Sequence, residues 1–195
     1  MKPLVLSGGA PEAAFWIVLA GWLLGEGAWA LRTTMRDPET RDATEPLLTA
    51  TLVGGIGLGI LVAYEAQSLE LPGARWWPPL AGLAVLTAGL IIRVWAIRTL
   101  GRFFIYTVRV GEDHRVVDAG PYRLVRHPSY TGLLMAALGV GIALGNWLSI
   151  AACLLPALTG FSIRLLSEER TLAAELGEPS RDYMARTKRL IPGIW

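Results

Sequence analysis

Two polar segments, residues 98 to 130 and residues 164 to 195, hold the side chains that could do chemistry. Both adjoin long apolar stretches, where ionised groups are costly and tend to be functional. The second segment opens with Arg164 and Glu168, which are four residues apart and therefore share one face of a helix. This pair could serve a binding site, or it could be a solvated helix rim worth roughly a few tenths of a kcal/mol.

In the first segment, valines alternate with polar residues around two turn signals, which predicts short extended strands. His127 precedes Pro128, so its backbone should be extended, and Pro128 can take the first position of a helix. The positive end of that helix, with Arg126 and His127 beside it, would suit the carboxylate of a small ligand. Alternatively, the two side chains anchor the helix at the level of the lipid headgroups.

Metal and nucleotide sites are not indicated. The only histidines, His114 and His127, lack the spacing of metal ligands, so no metal site is predicted. Gly55, Gly57 and Gly59 imitate a nucleotide-binding glycine loop, but no strand precedes them. Their apolar surroundings favour close packing between helices instead.

The elements that position the polar segments are predicted to be membrane helices. Hydrophobic residues make up 53% of the 195-residue chain and charged residues only 17%, where about 25% is typical. Residues 129 to 163 are uncharged, and as one helix these 35 residues would be about 52 Å long. The run must fold back, and Gly145-Asn146-Trp147 marks the turn. The five predicted spans are residues 13 to 31, 46 to 66, 77 to 97, 128 to 144 and 148 to 166.

Lysine and arginine alternate between the segments outside these spans. From the N-terminus onward the segments carry one, three, one, six and none of them, and the last segment, counted from Arg164 onward, carries six. The positive-inside rule therefore predicts that the N-terminus lies outside and that the C-terminus and both polar segments are cytoplasmic. The net charge of +2 is too small to indicate a nucleic-acid partner.

Three further local signals give expectations. Cys153 lies in an apolar run, so we expect a buried thiol rather than a nucleophile. The fourth span is rich in glycine and alanine, which predicts close packing against a neighbouring helix. The segment from Tyr183 to Pro192 predicts a short amphipathic helix followed by a tail, and its basic cluster is typical of a lipid-surface anchor.

The polar segments resemble the two signatures of the isoprenylcysteine carboxyl methyltransferase family. The first signature corresponds to the run from His114 to Tyr130, with its elements Gly120-Pro121-Tyr122 and Arg126-His127-Pro128-Ser129-Tyr130. The second corresponds to the series Arg164, Glu168-Glu169, Leu172, Gly177, Tyr183 and Pro192. Together they cover roughly the last 90 residues, and the five-span plan resembles the shorter prokaryotic members of the family.

The resemblance implies an all-α integral-membrane enzyme that uses S-adenosylmethionine without a Rossmann domain. The cytosolic cofactor pocket would lie between the 98–130 segment and the C-terminal helical segment. Residues 1–97 would form the first three transmembrane helices, and residues 98–195 the catalytic region with helices four and five. The positions implied to bind the cofactor are His114, Arg115, Val116, Val117, Tyr122, His127, Pro128, Ser129, Tyr130 and Glu168.

The resemblance also implies roles in the reaction. Arg164 would face the acceptor carboxylate, and Arg164 and Glu168 would be the catalytic residues. A prenylated or acylated acceptor would enter between helices from the lipid bilayer. Glu26 and Arg93, both inside predicted spans, would either pair with each other or line that route.

Two other functions remain open at the level of the sequence. A membrane methyltransferase could act on a phospholipid amine or a thiol, and an amine acceptor would require deprotonation. A non-catalytic membrane protein could use the same basic segments to bind anionic lipid.

Overall fold

The computed structural model describes residue 5 and residues 9–36, 44–101 and 116–195, apart from the side chains at positions 11, 32–36, 45 and 67. The described residues form six α-helices and two short 3-10 helices. The α-helices are α1 (Ala10–Arg36), α2 (Thr44–Glu65), α3 (Trp77–Leu100), α4 (Pro128–Ala143), α5 (Trp147–Glu175) and α6 (Glu178–Arg186). The 3-10 helices are Gln67–Leu69 and Gly120–Arg123.

Four of these helices, α1, α2, α3 and α5, are long and apolar enough to cross a membrane. Five membrane spans are predicted, but only four helices of the described residues have full membrane length. The helix at the fourth predicted span, α4, has 16 residues and is about 24 Å long, against a hydrocarbon core of about 30 Å. Ten of its 16 residues are buried, so protein rather than lipid surrounds most of α4.

The predicted turn before α5 is confirmed. Gly145 has a φ of +70°, and Asn146 caps α5 by accepting hydrogen bonds from the backbone N–H groups of Leu148 (2.8 Å) and Ser149 (3.2 Å). The Asn146 Nδ2 donates to the Ala66 carbonyl oxygen at 2.5 Å. This turn therefore lies at the same end of the bundle as the end of α2.

Small residues bring the helices close together, as predicted for the fourth span. A Cβ atom on Gly139 would lie 2.4 Å from the backbone nitrogen of Leu86, and one on Gly82 would lie 2.3 Å from a backbone nitrogen of α4. Between α2 and α5, a Cβ atom on Gly59 would lie 2.4 Å from the Sγ of Cys153, which is fully buried as expected. The α3–α4 and α2–α5 contacts thus require glycine at these points.

The C-terminal segment contains the predicted short helix and tail, with different bounds. Helix α6 ends at Arg186, and the following residues form a parallel β-bridge between Val125 and Lys188. The backbone N–H groups of Arg126 and His127 donate to the carbonyl oxygens of Lys188 (2.7 Å) and Arg189 (3.0 Å). The helix begins earlier than predicted, at Glu178, and the tail after it pairs its backbone with the residues before α4.

The described parts of the 98–130 segment do not form the predicted strands. Its first residues continue α3, and residues 102–115 lie outside the described residues. Within the described remainder, Gly120–Arg123 is a 3-10 helix and no strand forms apart from the single bridge at Val125. Pro128 does occupy the first position of α4, as predicted.

Candidate functional site

The first turn of α4 lies beside the polar part of α5, and the Tyr130 hydroxyl forms hydrogen bonds between the two helices. The hydroxyl donates to Glu168 Oε2 at 2.8 Å and accepts a long hydrogen bond of 3.4 Å from Arg164 Nε. Arg164 also donates from Nη1 to the Thr44 hydroxyl at 2.8 Å, and only 3% of Arg164 is exposed. The predicted shared face of Arg164 and Glu168 is confirmed, and the arginine is buried rather than part of a solvated rim.

Aromatic rings hold Tyr130 in place. The rings of His127 and Tyr130 stack with centroids 5.6 Å apart, and those of Tyr130 and Phe161 stack at 5.4 Å. Phe161 is fully buried on α5, one turn before Arg164. This stack fixes the position of the hydroxyl between the guanidinium and the carboxylate.

A second cluster surrounds Glu169, which is also buried. Its Oε1 accepts a hydrogen bond from Arg126 Nε at 2.8 Å and lies 3.3 Å from His127 Nε2. Its Oε2 pairs with Arg189 Nη2 at 3.0 Å. A carboxylate of the chain itself therefore already contacts Arg126 and His127, and binding of a ligand carboxylate beside them stays a prediction.

Arg126 also ties this cluster to α6. Its Nη1 donates to the carbonyl oxygens of Met184 and Thr187, both at 2.5 Å. Neither sequence interpretation of Arg126, as a ligand contact or as a headgroup anchor, describes this role. The residue instead fixes the C-terminal segment against the start of α4.

Tyr122 and Tyr183 connect the 3-10 helix to α6. The Tyr183 hydroxyl donates to the Tyr122 carbonyl oxygen at 2.7 Å. Burial, together with the nearby charge of Glu168, raises the pKa of Tyr122 well above its ordinary value. Burial, with a contribution from Asp118, raises the pKa of Tyr183 to about 12. Both phenols are therefore neutral near pH 7.

Two adjoining cavities meet at these clusters. The larger, about 310 Å³, lies between the helices, and the smaller, about 110 Å³, lies between the 116–127 segment and the α5–α6 region. Residues that line both are Leu100, Tyr122, Arg126, His127 and Glu168. Other residues of the larger cavity include Leu23, Gly27, Ala30, Leu48, Leu52, Val53, Leu133 and Arg164. Other residues of the smaller include Val116, Val117, Glu169, Leu172, Leu176, Tyr183 and Met184.

Glu26 and Arg93 form an ion pair in the wall of the larger cavity. Arg93 Nε and Nη2 each lie 2.6 Å from a carboxylate oxygen of Glu26. The third nitrogen, Nη1, donates to the Ser129 hydroxyl at the start of α4. The predicted pairing of Glu26 and Arg93 is confirmed, and both residues line the larger cavity.

The residues expected to bind the cofactor separate into four groups. Those that line the smaller cavity are Val116, Val117, Tyr122, His127 and Glu168. Those that line the larger cavity and not the smaller are Ser129 and Tyr130. Pro128 is buried at the start of α4 and lines neither cavity. His114 and Arg115 lie outside the described residues.

Several residues at the site were not singled out from the sequence. Glu169 stood beside Glu168 in the second signature, but its role depends on Arg126 and Arg189, which are distant in sequence. Thr44 lies 120 positions from Arg164, and no local signal links them. In the part of the chain that the structure describes, no group of three His, Cys, Asp or Glu residues could hold a metal ion.

Comparison with known proteins gives one consistent result. Residues 81–174 match the model of the isoprenylcysteine carboxyl methyltransferase (ICMT) family. A probable protein-S-isoprenylcysteine O-methyltransferase of Oryza sativa subsp. japonica is 28% identical over 190 residues, which is 95% of this chain and 99% of that protein. Protein-S-isoprenylcysteine O-methyltransferase A of Arabidopsis thaliana is 33% identical over 138 residues, which is 69% of this chain and 70% of that protein.

A solved structure has the same fold. It is the structure of the eukaryotic intramembrane Ras methyltransferase ICMT, which matches with a TM-score of 0.70 and 26% identity. The match covers 98% of this chain and 70% of the solved chain. The chain therefore shares the all-helical, membrane-type fold of this intramembrane methyltransferase.

Proposed function

Because the chain belongs to the isoprenylcysteine carboxyl methyltransferase family, we propose that it transfers a methyl group from S-adenosylmethionine to the carboxylate of a lipophilic, isoprenylcysteine-like acceptor. The observation that carries this proposal is the meeting of the two cavities at Tyr122, His127 and Glu168. Arg164 lies on the side of the larger cavity. A donor and an acceptor in adjoining cavities would meet at this junction.

The lining of the smaller cavity suits part of the cofactor. Its aliphatic side chains, among them Val116, Val117 and Leu172, offer an apolar surface for an adenine ring. The Glu168 carboxylate can accept hydrogen bonds from hydroxyl or amino groups, and Tyr122 adds an aromatic face. When bound, S-adenosylmethionine supplies a methyl group on a positively charged sulfonium.

The larger cavity suits the acceptor. Its wall is mainly apolar, and α1 and α2 contribute the aliphatic side chains of Leu23, Leu48, Leu52 and Val53. The positive charge of Arg164 stands at its polar end, on the same side as Tyr130. The aliphatic side chains together with the Arg164 guanidinium match a carboxylate on a long hydrocarbon chain.

The chemistry requires alignment rather than a base. A carboxylate with a pKa near 4 is ionised at pH 7, so its oxygen can attack directly. Arg164, held between Thr44 and Tyr130, can grip one carboxylate oxygen and leave the other to form the new O–CH₃ bond as the S–CH₃ bond breaks. The buried setting favours this step, because a positive donor and a negative acceptor neutralise each other.

The arrangement in the membrane is part of the proposal. We place the N-terminus outside and the junction of the cavities on the cytoplasmic side, on the strength of the arginine-rich segments there. The α4–α5 turn contacts the residues after α2, which supports a fifth, protein-surrounded crossing by α4, as in the shorter prokaryotic members. Residues 1–97 would then form about half of the acceptor wall, and residues 98–195 would form the other half and the catalytic region.

One experiment tests the function. Purified protein in detergent is incubated with methyl-labelled S-adenosylmethionine and matched lipophilic acceptors that end in a carboxylate, an amine or a thiol. We expect label on the carboxylate acceptor alone. Label on the amine or thiol would contradict the proposed reaction, and no label with intact cofactor binding would contradict the proposed acceptors.

A further inference from the structure

Helix α1 forms one wall of the larger cavity while most of its surface remains exposed. Only 17% of its membrane window, Glu12–Leu31, is buried inside the protein. The Glu26–Arg93 ion pair joins α1 to α3 through two hydrogen bonds of 2.6 Å. Arg93 is 3% exposed, so this pair fixes the rotation and height of α1 against the buried face of α3.

The cavity side of α1 is a narrow stripe. Leu23, Gly27 and Ala30 line the cavity at intervals of four and three residues, which is the spacing of one helix face. The middle position of this stripe has no side chain. A Cβ atom on Gly27 would meet no atom of the described residues within 4 Å. A side chain at position 27 would therefore extend into the cavity instead of colliding with a neighbouring helix.

Gly25 provides the matched comparison. A Cβ atom there also meets no described atom within 4 Å, but Gly25 does not line the cavity. Two residues along an α-helix turn the side chain by about 200°, so positions 25 and 27 face opposite sides of α1. A larger side chain would meet no neighbour at either glycine, but only at position 27 would it lie in the cavity.

We propose that Gly27 determines how bulky a hydrocarbon chain the enzyme accepts, because its missing side chain leaves open space in the cavity that the α2 residues Leu52 and Val53 also line. This inference rests on the proposed function, in which the larger cavity holds the acceptor. The Glu26–Arg93 pair, one residue away, keeps Gly27 in that position.

The test compares Gly27→Leu with Gly25→Leu. Each variant and the unaltered protein are assayed with two thioether carboxylates of equal carbon number, one with a straight chain and one with a branched polyisoprenyl chain. We expect Gly27→Leu to raise KM for the branched acceptor about 10- to 200-fold more than for the straight one. The affinity for S-adenosylmethionine should stay within about twofold, and Gly25→Leu should match the unaltered protein.

The possible outcomes distinguish a failure of the role of Gly27 from a failure of the proposed function. If the unaltered protein methylates the acceptors but Gly27→Leu keeps the same ratio of KM values, or Gly25→Leu shifts it equally, the role of Gly27 is wrong. If the unaltered protein methylates neither acceptor, the proposed function fails and the inference fails with it. If Gly27→Leu loses cofactor binding, Gly27→Ala and Gly27→Val decide the matter, because the KM ratio must rise with side-chain volume.

Discussion

At the scale of residues, the site is organised around one hydroxyl and one carboxylate. The Tyr130 hydroxyl stands between Arg164 and Glu168, so it links the side chain proposed for the acceptor to the side chain proposed for the cofactor. Glu169, the next residue along α5, forms ion pairs with Arg126 and Arg189. Adjacent glutamates therefore have different tasks, one at the junction of the cavities and one in holding the C-terminal segment.

His127 is expected to support cofactor binding. Its ring lines both cavities, stacks on Tyr130 and lies beside Glu169. Loss of these contacts in His127→Ala should weaken the affinity for S-adenosylmethionine by about tenfold, which corresponds to about 1.4 kcal/mol. Calorimetry measures the change, with Arg123→Ala as the control because Arg123 is exposed on the same segment. An unaltered dissociation constant for His127→Ala would remove the ring from the cofactor site.

The rate of methyl transfer to a carboxylate should not depend on pH between about 6 and 9. The acceptor is ionised throughout this range because its pKa is near 4. Tyr122, whose pKa is raised by burial, stays protonated and supplies no phenolate. A rate under subsaturating acceptor that rises about tenfold per pH unit would instead indicate an amine acceptor or a catalytic base.

At the scale of elements, glycine contacts set how closely α3 and α4 approach. A leucine at position 139 would collide with backbone atoms of α3, since even a Cβ atom would lie 2.4 Å from Leu86 N. Gly57 on α2 meets no described atom within 4 Å, so a leucine there would face open space. Leucine substitutions at these two positions therefore distinguish a steric clash between helices from the mere replacement of glycine by leucine.

Gly139→Leu is expected to destabilise the protein by at least the 1–3 kcal/mol typical of overpacking, because the opposing atoms are backbone. Thermal unfolding in detergent should show a lower midpoint and loss of cofactor affinity, since α4 carries Tyr130. Gly57→Leu should unfold near the midpoint of the unaltered protein. Equal midpoints for the two variants would contradict the close α3–α4 packing.

Local signals predicted the helices well and the contacts between distant segments poorly. Gly145 and Asn146 end one helix and cap the next through neighbouring backbone groups, so the turn could be located from the sequence. The end of α6 could not, because residues after Arg186 pair with a segment about 60 positions earlier. The bounds of α4 agree with the predicted span to within one residue, but this helix is shorter than a full membrane span, because burial by protein allows a shorter apolar helix than lipid does.

At the scale of the whole molecule, the two ends of the helix bundle differ in their polar and charged side chains. The start of α2, the end of α3, the start of α4 and the polar part of α5 meet at the end that carries the cavities' polar side chains. The opposite end contains the α4–α5 turn and the residues after α2. A soluble cofactor and a lipid-embedded acceptor can therefore approach the junction from different phases.

The proposed orientation gives a prediction for reporter fusions. Alkaline phosphatase, which is active only outside the cytoplasm, should be inactive when fused after Trp195 and active when inserted near Gly73, between α2 and α3. The expectation follows from the six basic residues of the C-terminal segment against the single Arg75 of the second loop. The reverse pattern of activity would place the cavities' polar end outside the cell.

Methyl transfer by Arg164→Ala tests the proposed reaction most directly. The assay counts label that alkali releases from a lipophilic carboxylate acceptor, since a methyl ester is base-labile, and binding of S-adenosylmethionine is measured in parallel. Arg164 is buried and held by Thr44 and Tyr130, so its loss should lower kcat/KM about 100-fold through misplacement of the acceptor. Cofactor affinity should change less than about twofold. Unchanged turnover by Arg164→Ala, or label that resists alkali in the unaltered protein, would contradict carboxyl methylation at this site.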